Sequence, residues 1–498
     1  MNVWLLHRDR DFDSHARLPP HAAALTQDLG LDVVLHAMAA DDPFVLDVAR
    51  QVVLAAVSGD VDTIRYRQAI LRDCMSHASV VRDLYRIAVD GVEAKRKHWI
   101  FGITSRFPSS VLGSAVELMK LYATLLRQLR GLADAHARDV TSEGLRRLFA
   151  MFAAELSDDY LARVDEQLDE LEFRDGVLVS AELGDGNETA NEVLRRTVAR
   201  PSRLERWFGL PPAGYTVKLA ERDDAGARAL GRLRDAGINR VANALAQSVE
   251  HVESFFALLR AELAFYLGCS NLHARLGALS APTCAPDPAP LGSRERHAHG
   301  LYDPSLAIES QRAPVANELA ADGASLLLIT GANQGGKTTF LRAVGIAQLM
   351  MHAGMFVAAD SFGAEVHVGL FTHWKREEDV ALNRGKLDEE LHRVSVLADA
   401  VVPDALVLFN ESFASTNERE GSEIARQIVR ALVERRVVVA FVTHLYDFAR
   451  TTLAQPPAPA VFLRAERRPN GTRSFKLVPG EPLATSFGQD LYARIFGA

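Results

Sequence analysis

The stretch Gly331-Ala-Asn-Gln-Gly-Gly-Lys-Thr338 has the form G-x-x-x-x-G-K-[ST], and its flanks decide how it is read. Before it, Ala324-Ser-Leu-Leu-Leu-Ile-Thr330 is a short apolar run of the kind that forms a buried parallel strand. After it, Thr339 to Met351 carries Phe340, Val344, Ile346, Leu349 and Met350 at roughly helical spacing. A glycine-rich turn between strand and helix aims backbone N–H groups inward, and the helix N-terminus adds partial positive charge. The pattern predicts a nucleoside triphosphate site built from Gly331, Ala332, Asn333, Gln334, Gly335, Gly336, Lys337, Thr338 and Thr339. In that site Lys337 reaches the β/γ-phosphates and the Thr338 hydroxyl ligates Mg²⁺.

Two downstream runs extend the prediction. Asp404-Ala-Leu-Val-Leu-Phe-Asn-Glu411 is an apolar strand ending in a polar pair. Asn410 stands where such a strand usually places the Asp that supports Mg²⁺ through water. Glu411 follows it, where a carboxylate would orient the attacking water. Arg436-Val-Val-Val-Ala-Phe-Val-Thr-His444 is a third strand, ending in a histidine placed to sense a γ-phosphate. The catalytic candidates are therefore Glu411 and His444.

These segments together resemble the ATPase domain of the MutS family. Its I-T-G-P-N-M-G-G-K-S-T stretch is similar to Ile329-Thr-Gly-Ala-Asn-Gln-Gly-Gly-Lys-Thr-Thr339. Its D-E-x-x-x-G-T-S-T-x-D-G stretch aligns without gaps on Asn410-Glu-Ser-Phe-Ala-Ser-Thr-Asn-Glu-Arg-Glu-Gly421. Its T-H-Y step resembles Thr443-His444-Leu445. Its late G-x-x-x-x-S-Y-G resembles Gly480-Glu-Pro-Leu-Ala-Thr-Ser-Phe-Gly488, one residue longer. The resemblance implies that Ser415, Thr416 and Asn417 reach, in trans, the γ-phosphate held by a partner subunit. Thr416 or Asn417 would equally serve as the N-cap of a helix starting at Glu418, and the two roles are compatible. The departure at Asn410 removes one negative charge beside Mg²⁺. An amide oxygen still accepts a hydrogen bond from metal-bound water, without charge assistance. ATP binding is expected to survive, with slower turnover.

The chain has 498 residues, 48% of them hydrophobic, enough for two to four domains with substantial cores. A net charge of −8 excludes a protein coated in basic surface, so any contact with nucleic acid must be local. Cys74, Cys269 and Cys284 are widely spaced, consistent with a reducing cytoplasm and no disulfide framework. No apolar run approaches a membrane span and no signal-peptide core follows Met1, so a cytoplasmic protein is expected, nucleoid-associated or not.

Upstream of the nucleotide site the pattern is helical. Arg65-Tyr-Arg-Gln-Ala-Ile-Leu-Arg-Asp-Cys74 resembles a helix of the MutS core. Val241, Leu245, Val249, Val252, Phe256, Leu259 and Leu263 form one stripe on a long helix that resembles the family's lever. Between them, Phe173 to Glu182 reads as a turn and strand, and Tyr215-Thr-Val-Lys-Leu219 as another strand. In the MutS architecture an insertion at this place grips DNA. Arg195, Arg196, Arg200 and Arg203 suit phosphate contacts, with Arg206, Trp207 and Phe208 beside them. A solvated charged helix face over an aromatic pair accounts for the same residues.

The expected fold class is α/β: a helical core and lever domain followed by a doubly wound, ABC/RecA-like P-loop ATPase domain. Expected domains are a helical core over 1–155, a small clamp-like insertion over 156–222, a lever helix region over 223–290 and the ATPase over 291–498. The C-terminal strands Ala460 to Glu466 and Ser474 to Val478 should form a hairpin turning at Pro469-Asn-Gly471. The chain opens almost directly in the core and stops soon after the ATPase motifs. Neither the family's mismatch-reading domain nor its C-terminal dimerisation segment is therefore expected. The expected activity is slow ATP hydrolysis, with ATP and Mg²⁺ bound by a homodimer that clamps DNA. A nucleotide-switched protein scaffold that never grips DNA is the alternative.

Overall fold

A computed structural model describes residues 1–98, 107–174, 176–187, 189–196, 218–220, 222–376, 385–468 and 470–484. Packing divides the chain into two units that do not follow chain order. One comprises Met1–Val3, Arg82–Val140 and Arg146–Arg260, the other Trp4–Val81, Thr141–Leu145 and Ala261–Ala498.

The helices before the first strand are α1 (Ala22–Leu29), α2 (Leu31–Ala39), α3 (Pro43–Ala55), α4 (Val61–Ser76), α5 (Ala78–His98), α6 (Pro108–His136), α7 (Glu143–Glu155) and α8 (Asp158–Leu171). Their starts are written locally. Asp42 caps α3 with Pro43 in its first turn, Asp60 caps α4, and Ser157 caps α8. A two-stranded antiparallel hairpin follows, β1 (Leu178–Leu183) and β2 (Thr189–Arg195). The strand expected over 173–182 is present. It pairs with β2; of the strand expected over 215–219, Lys218 and Leu219 are irregular and 215–217 lie outside the described residues. Arg195 thus ends a strand and does not lie on a helix face.

Helix α9 runs unbroken over Asp224–Ala278, beyond both ends of the apolar stripe that announces it. In the helical unit Phe255 and Phe256 are buried. Phe256 tilts against Tyr122 with ring centroids 5.4 Å apart, and Phe255 meets Phe152 edge-on at 6.0 Å. From Ala261 to Tyr266 every residue is buried, so the pattern changes from one stripe to apolar all round, the mark of a helix surrounded by protein. There Glu262, fully buried, accepts the backbone N–H groups of Leu5, Leu6 (2.8 Å) and Phe12 (3.2 Å). Tyr266 and Arg67 bind the Leu5 and Leu6 carbonyls at 2.6 and 2.7 Å, so the N-terminal segment is held by backbone as well as by its buried leucines.

The α/β part contains β3 (Asp287–Ala289), β4 (Arg296–Leu301), α10 (Pro304–Ser310), β5 (Asn317–Ala320), β6 (Leu326–Gly331), α11 (Lys337–His352), β7 (Ser361–Glu365), β8 (Leu370–Trp374), α12 (Lys386–Ala400), β9 (Leu406–Asn410), α13 (Glu418–Glu434), β10 (Val438–Val442), α14 (Tyr446–Ala454), β11 (Ala460–Arg467) and β12 (Arg473–Pro479). Six strands form one sheet in the order β12-β11-β6-β10-β9-β8, parallel except for the terminal β12. A smaller sheet has the order β3-β7-β4-β5.

The strands of the larger sheet are apolar on both faces because both are covered. Leu326, Leu328, Val407, Phe409, Val439 and Phe441 pack with Val394, Val429 and Phe448 from α12, α13 and α14. Leu408, pointing the other way, comes so close to α11 that a Cβ on Gly345 would lie 2.6 Å from it. Helices on both faces make the domain doubly wound, as expected from the sequence, and the C-terminal hairpin is present with Gly471 in the left-handed conformation at its turn.

Candidate functional site

In such a sheet, ligands gather beyond the C-terminal ends of the strands. Here those ends are in register: Ile329 of β6 pairs with Val442 of β10, which pairs with Asn410 of β9. The register brings the three predicted segments to one edge.

The turn after β6 has Gly331 at φ 107°, Gln334 at 57° and Gly336 at 90°. Gly331 is also required by space, since a Cβ there would lie 2.8 Å from the Ala465 backbone nitrogen of β11. A Cβ on Gly335 would meet the Ala465 side chain at 2.6 Å. Lys337, only 4% exposed, donates from Nζ to the carbonyls of Gly331 and Ala332, both at 3.0 Å. Burial pulls its pKa down to about 8, with Arg473 adding to the effect and Glu411 opposing it.

Thr338 Oγ1 donates to Asn410 Oδ1 at 3.0 Å. Glu411, the next residue, occupies the left-handed region at φ 54°, and its amide donates to the Val442 carbonyl at 2.8 Å. Its Oε1 lies 2.8 Å from His444 Nε2. That hydrogen bond holds the Glu411 carboxyl below its ordinary range, against the opposing effect of burial. An ionised carboxylate only accepts, so His444 carries its proton on Nε2. Oxygen donors of this kind, hydroxyl, amide and carboxylate, suit a hard cation such as Mg²⁺.

Ser415, Thr416 and Asn417 lie on the turn before α13. Asn417 caps the helix through the Glu420 amide at 3.0 Å, and Thr416 Oγ1 donates to the Glu420 carboxylate at 2.6 Å. Of the arginines predicted to meet DNA, Arg195 donates to Ser180 Oγ at 2.8 Å and Arg196 pairs with Glu170. Arg200 and Arg203 lie outside the described residues.

Some neighbours are not visible in any motif. A cavity of about 610 Å³ opens beside Gly336, Thr339 and Phe340, walled across from them by Val315, Asn317 and Phe475. These residues are scattered through the chain, so no spacing announces them. Behind Glu411, the buried His373 ring meets Ser412 Oγ at 2.6 Å, and Glu390 accepts the Phe413 amide at 2.6 Å. Burial, then Arg393, lowers the His373 pKa to about 3, so the ring is neutral. These contacts brace a turn whose Glu411 and Phe413 both have positive φ.

A doubly wound sheet with a glycine turn leading into a helix, flanked by polar strand ends, defines the P-loop ATPase class of fold. Comparison with known proteins gives the family. Residues 59–279 match the MutS2 N-terminal domain and residues 327–493 match MutS domain V. The DNA mismatch repair protein MutS of Thermus aquaticus is 29% identical over 168 residues, 34% of this chain and 20% of that protein. The protein of the same name from Thermus thermophilus is 29% identical over 184 residues, 37% of this chain and 22% of that protein. The chain belongs to the MutS family, and it spans about a fifth of the length of these curated relatives.

Proposed function

We propose that this chain binds ATP with Mg²⁺ and hydrolyses it slowly, as a homodimer that closes on DNA during repair or recombination. The observation that carries the reading is the meeting of Lys337, the Thr338–Asn410 pair and the Glu411–His444 pair at adjacent strand ends. The loop amides and the start of α11 receive the phosphates, and Lys337 exchanges its carbonyl partners for phosphate oxygens. Because Thr338 donates its proton to Asn410, lone pairs on its oxygen remain available to a metal. Mg²⁺, when bound, neutralises charge on the phosphates. Glu411 orients the attacking water, and His444 fixes the carboxylate from behind. The cavity beside Phe340 and Phe475 takes the base.

The resemblance to MutS domain V supports closure in trans by Ser415, Thr416 and Asn417 of a second copy, and the match to the MutS2 N-terminal domain, which spans the insertion, supports DNA contact there. Arg195 and Arg196 engage groups of their own unit, which favours the second reading, a nucleotide-switched scaffold, more than their clustering alone suggests. Such exposed pairs contribute at most about 1 kcal/mol, so phosphate can displace them. The test is ATP titration and hydrolysis with wild type and Lys337→Ala, followed by DNA retention with ATP, ADP and no nucleotide. Loss of binding in Lys337→Ala and ATP-dependent retention are expected. ATP hydrolysis without any DNA retention would favour the scaffold.

A further inference from the structure

The hairpin β11–β12 lies directly on the phosphate loop. Ala465 of β11 leaves no room for a Cβ at Gly331 or Gly335, and the Phe475 carbonyl of β12 is 3.5 Å from where a Gly336 Cβ would stand. Asn317 locks this seat, donating from Nδ2 to the Phe475 carbonyl at 3.2 Å and accepting the Leu477 amide on Oδ1 at 2.7 Å. The hairpin therefore cannot drift from the loop without breaking contacts on both of its strands.

From this seat Arg473, the first residue of β12, reaches the loop. Its Nε donates to the Asn333 carbonyl at 3.3 Å, while a terminal nitrogen donates to the Gly471 carbonyl at 2.8 Å. Lys337 Nζ holds the carbonyls of Gly331 and Ala332. Two cations far apart in the sequence thus rest on three consecutive carbonyls of one phosphate loop. A polyphosphate offers both cations charge-assisted partners that neutral carbonyls do not match. A guanidinium also presents a planar fork of donors suited to phosphate oxygens.

We infer that Arg473 is a phosphate-binding residue, a second cation that the C-terminal hairpin supplies in cis to the nucleotide held by Lys337. This rests on the nucleotide-site reading given above. Phe475, two residues on, walls the base cavity, so one strand addresses both ends of the nucleotide. None of the motifs points to Arg473, because the hairpin is recognisable only by its turn.

The experiment is calorimetric titration of wild type, Arg473→Gln, Arg473→Lys and Lys337→Ala with ATP, ADP and adenosine. Arg473→Gln should weaken ATP and ADP by roughly tenfold to a hundredfold, with adenosine unchanged. Arg473→Lys, which keeps the charge without the fork, should fall between. Adenosine affinity separates the role from hairpin stability, because a hairpin that lifts carries Phe475 away and weakens adenosine as well. Unchanged ATP and ADP affinity in Arg473→Gln, with Lys337→Ala still defective, overturns the inference alone. An equal loss for all three ligands also overturns it, in favour of a structural role. If wild type binds ATP no better than Lys337→Ala, the nucleotide-site reading fails and this inference falls with it.

Discussion

Thr338 Oγ1 and Asn410 Oδ1, 3.0 Å apart, join the loop after β6 to the end of β9, past the intervening β10, through a neutral hydrogen bond. An aspartate there would make the same contact with a full charge beside the proposed Mg²⁺ position. Asn410→Asp should therefore strengthen Mg²⁺ binding and raise Mg²⁺-dependent hydrolysis, since groups around a metal's ligands tune its affinity by about tenfold or more. Mg²⁺ titrations of the steady-state ATPase rate check this. An unchanged Mg²⁺ requirement counts against Asn410 as a metal-supporting residue.

Glu411→Gln keeps the shape of the side chain and its contact with His444 while removing the carboxylate. ATP binding should remain near wild type, and single-turnover hydrolysis should fall by at least roughly a hundredfold, the scale of a positioned base. Hydrolysis at the wild-type rate would place the water-orienting group elsewhere. The exchange should not unfold the turn, because Glu390 and His373 brace it independently of the Glu411 side chain.

Gly331→Ala tests the seat of the hairpin. The residue has φ 107° and a Cβ there would lie 2.8 Å from a backbone nitrogen, so both strain and collision oppose the change. A loss of about 2–4 kcal/mol is expected from left-handed strain together with overpacking. Nucleotide affinity should drop at the same time, as the loop and hairpin separate. Thermal unfolding with and without ATP measures both.

Glu262 gives a pH dependence that involves none of the candidate-site residues. Burial raises its pKa from 4.5 to about 7, with the Leu6, Leu5 and Phe12 amides opposing and Asp11 reinforcing the rise. The folded state then holds more protons than the unfolded chain between pH 4.5 and 7, so stability contributed by this group declines across that window as pH rises. The full effect is on the order of 3 kcal/mol at about 1.4 kcal/mol per pKa unit. Glu262→Gln should remove the decline. Denaturant midpoints of the two proteins at pH 5 and 8 reveal it, and parallel pH profiles would exclude Glu262 as the cause.

The residues of the candidate site were legible because they are written locally. Gly331, Gly336, Lys337 and Thr338 are contiguous, and the strands ending at Asn410 and His444 are continuous apolar runs. What escaped reading depends on pairing between distant segments. Asn317 and Phe475 meet only because β12 closes the sheet beside β11, and Glu390 reaches Phe413 only through the placement of α12. The apolar stripe alone understates α9, since its first turns carry charged residues and Gly231 and Gly237 in place of such a stripe. The strand at 189–195 escaped because Thr189-Ala-Asn-Glu-Val-Leu-Arg195 alternates weakly and its partner strand is largely exposed.

The last prediction concerns completion of the site by a second copy. In the chain itself Asn417 caps α13, so Asn417→Ala would confound a lost trans contact with about 1 kcal/mol of lost capping. Asn417→Asp avoids this, because aspartate caps equally well while its charge repels a γ-phosphate approached from the partner subunit. Intrinsic ATP affinity of a dilute single subunit should be unchanged, whereas ATP-driven association and turnover should fall. ADP, lacking the γ-phosphate, should favour association less than ATP in wild type. Mixing Lys337→Ala chains with Asn417→Asp chains then gives heterodimers in which one site carries both defects and the other carries neither. Up to half the wild-type activity per heterodimer should return if each site works alone, above that of either parent. Mass measurement establishes the heterodimer fraction, and recovery should track it across mixing ratios. Heterodimers that form and remain inactive would exclude a site completed in trans by Asn417.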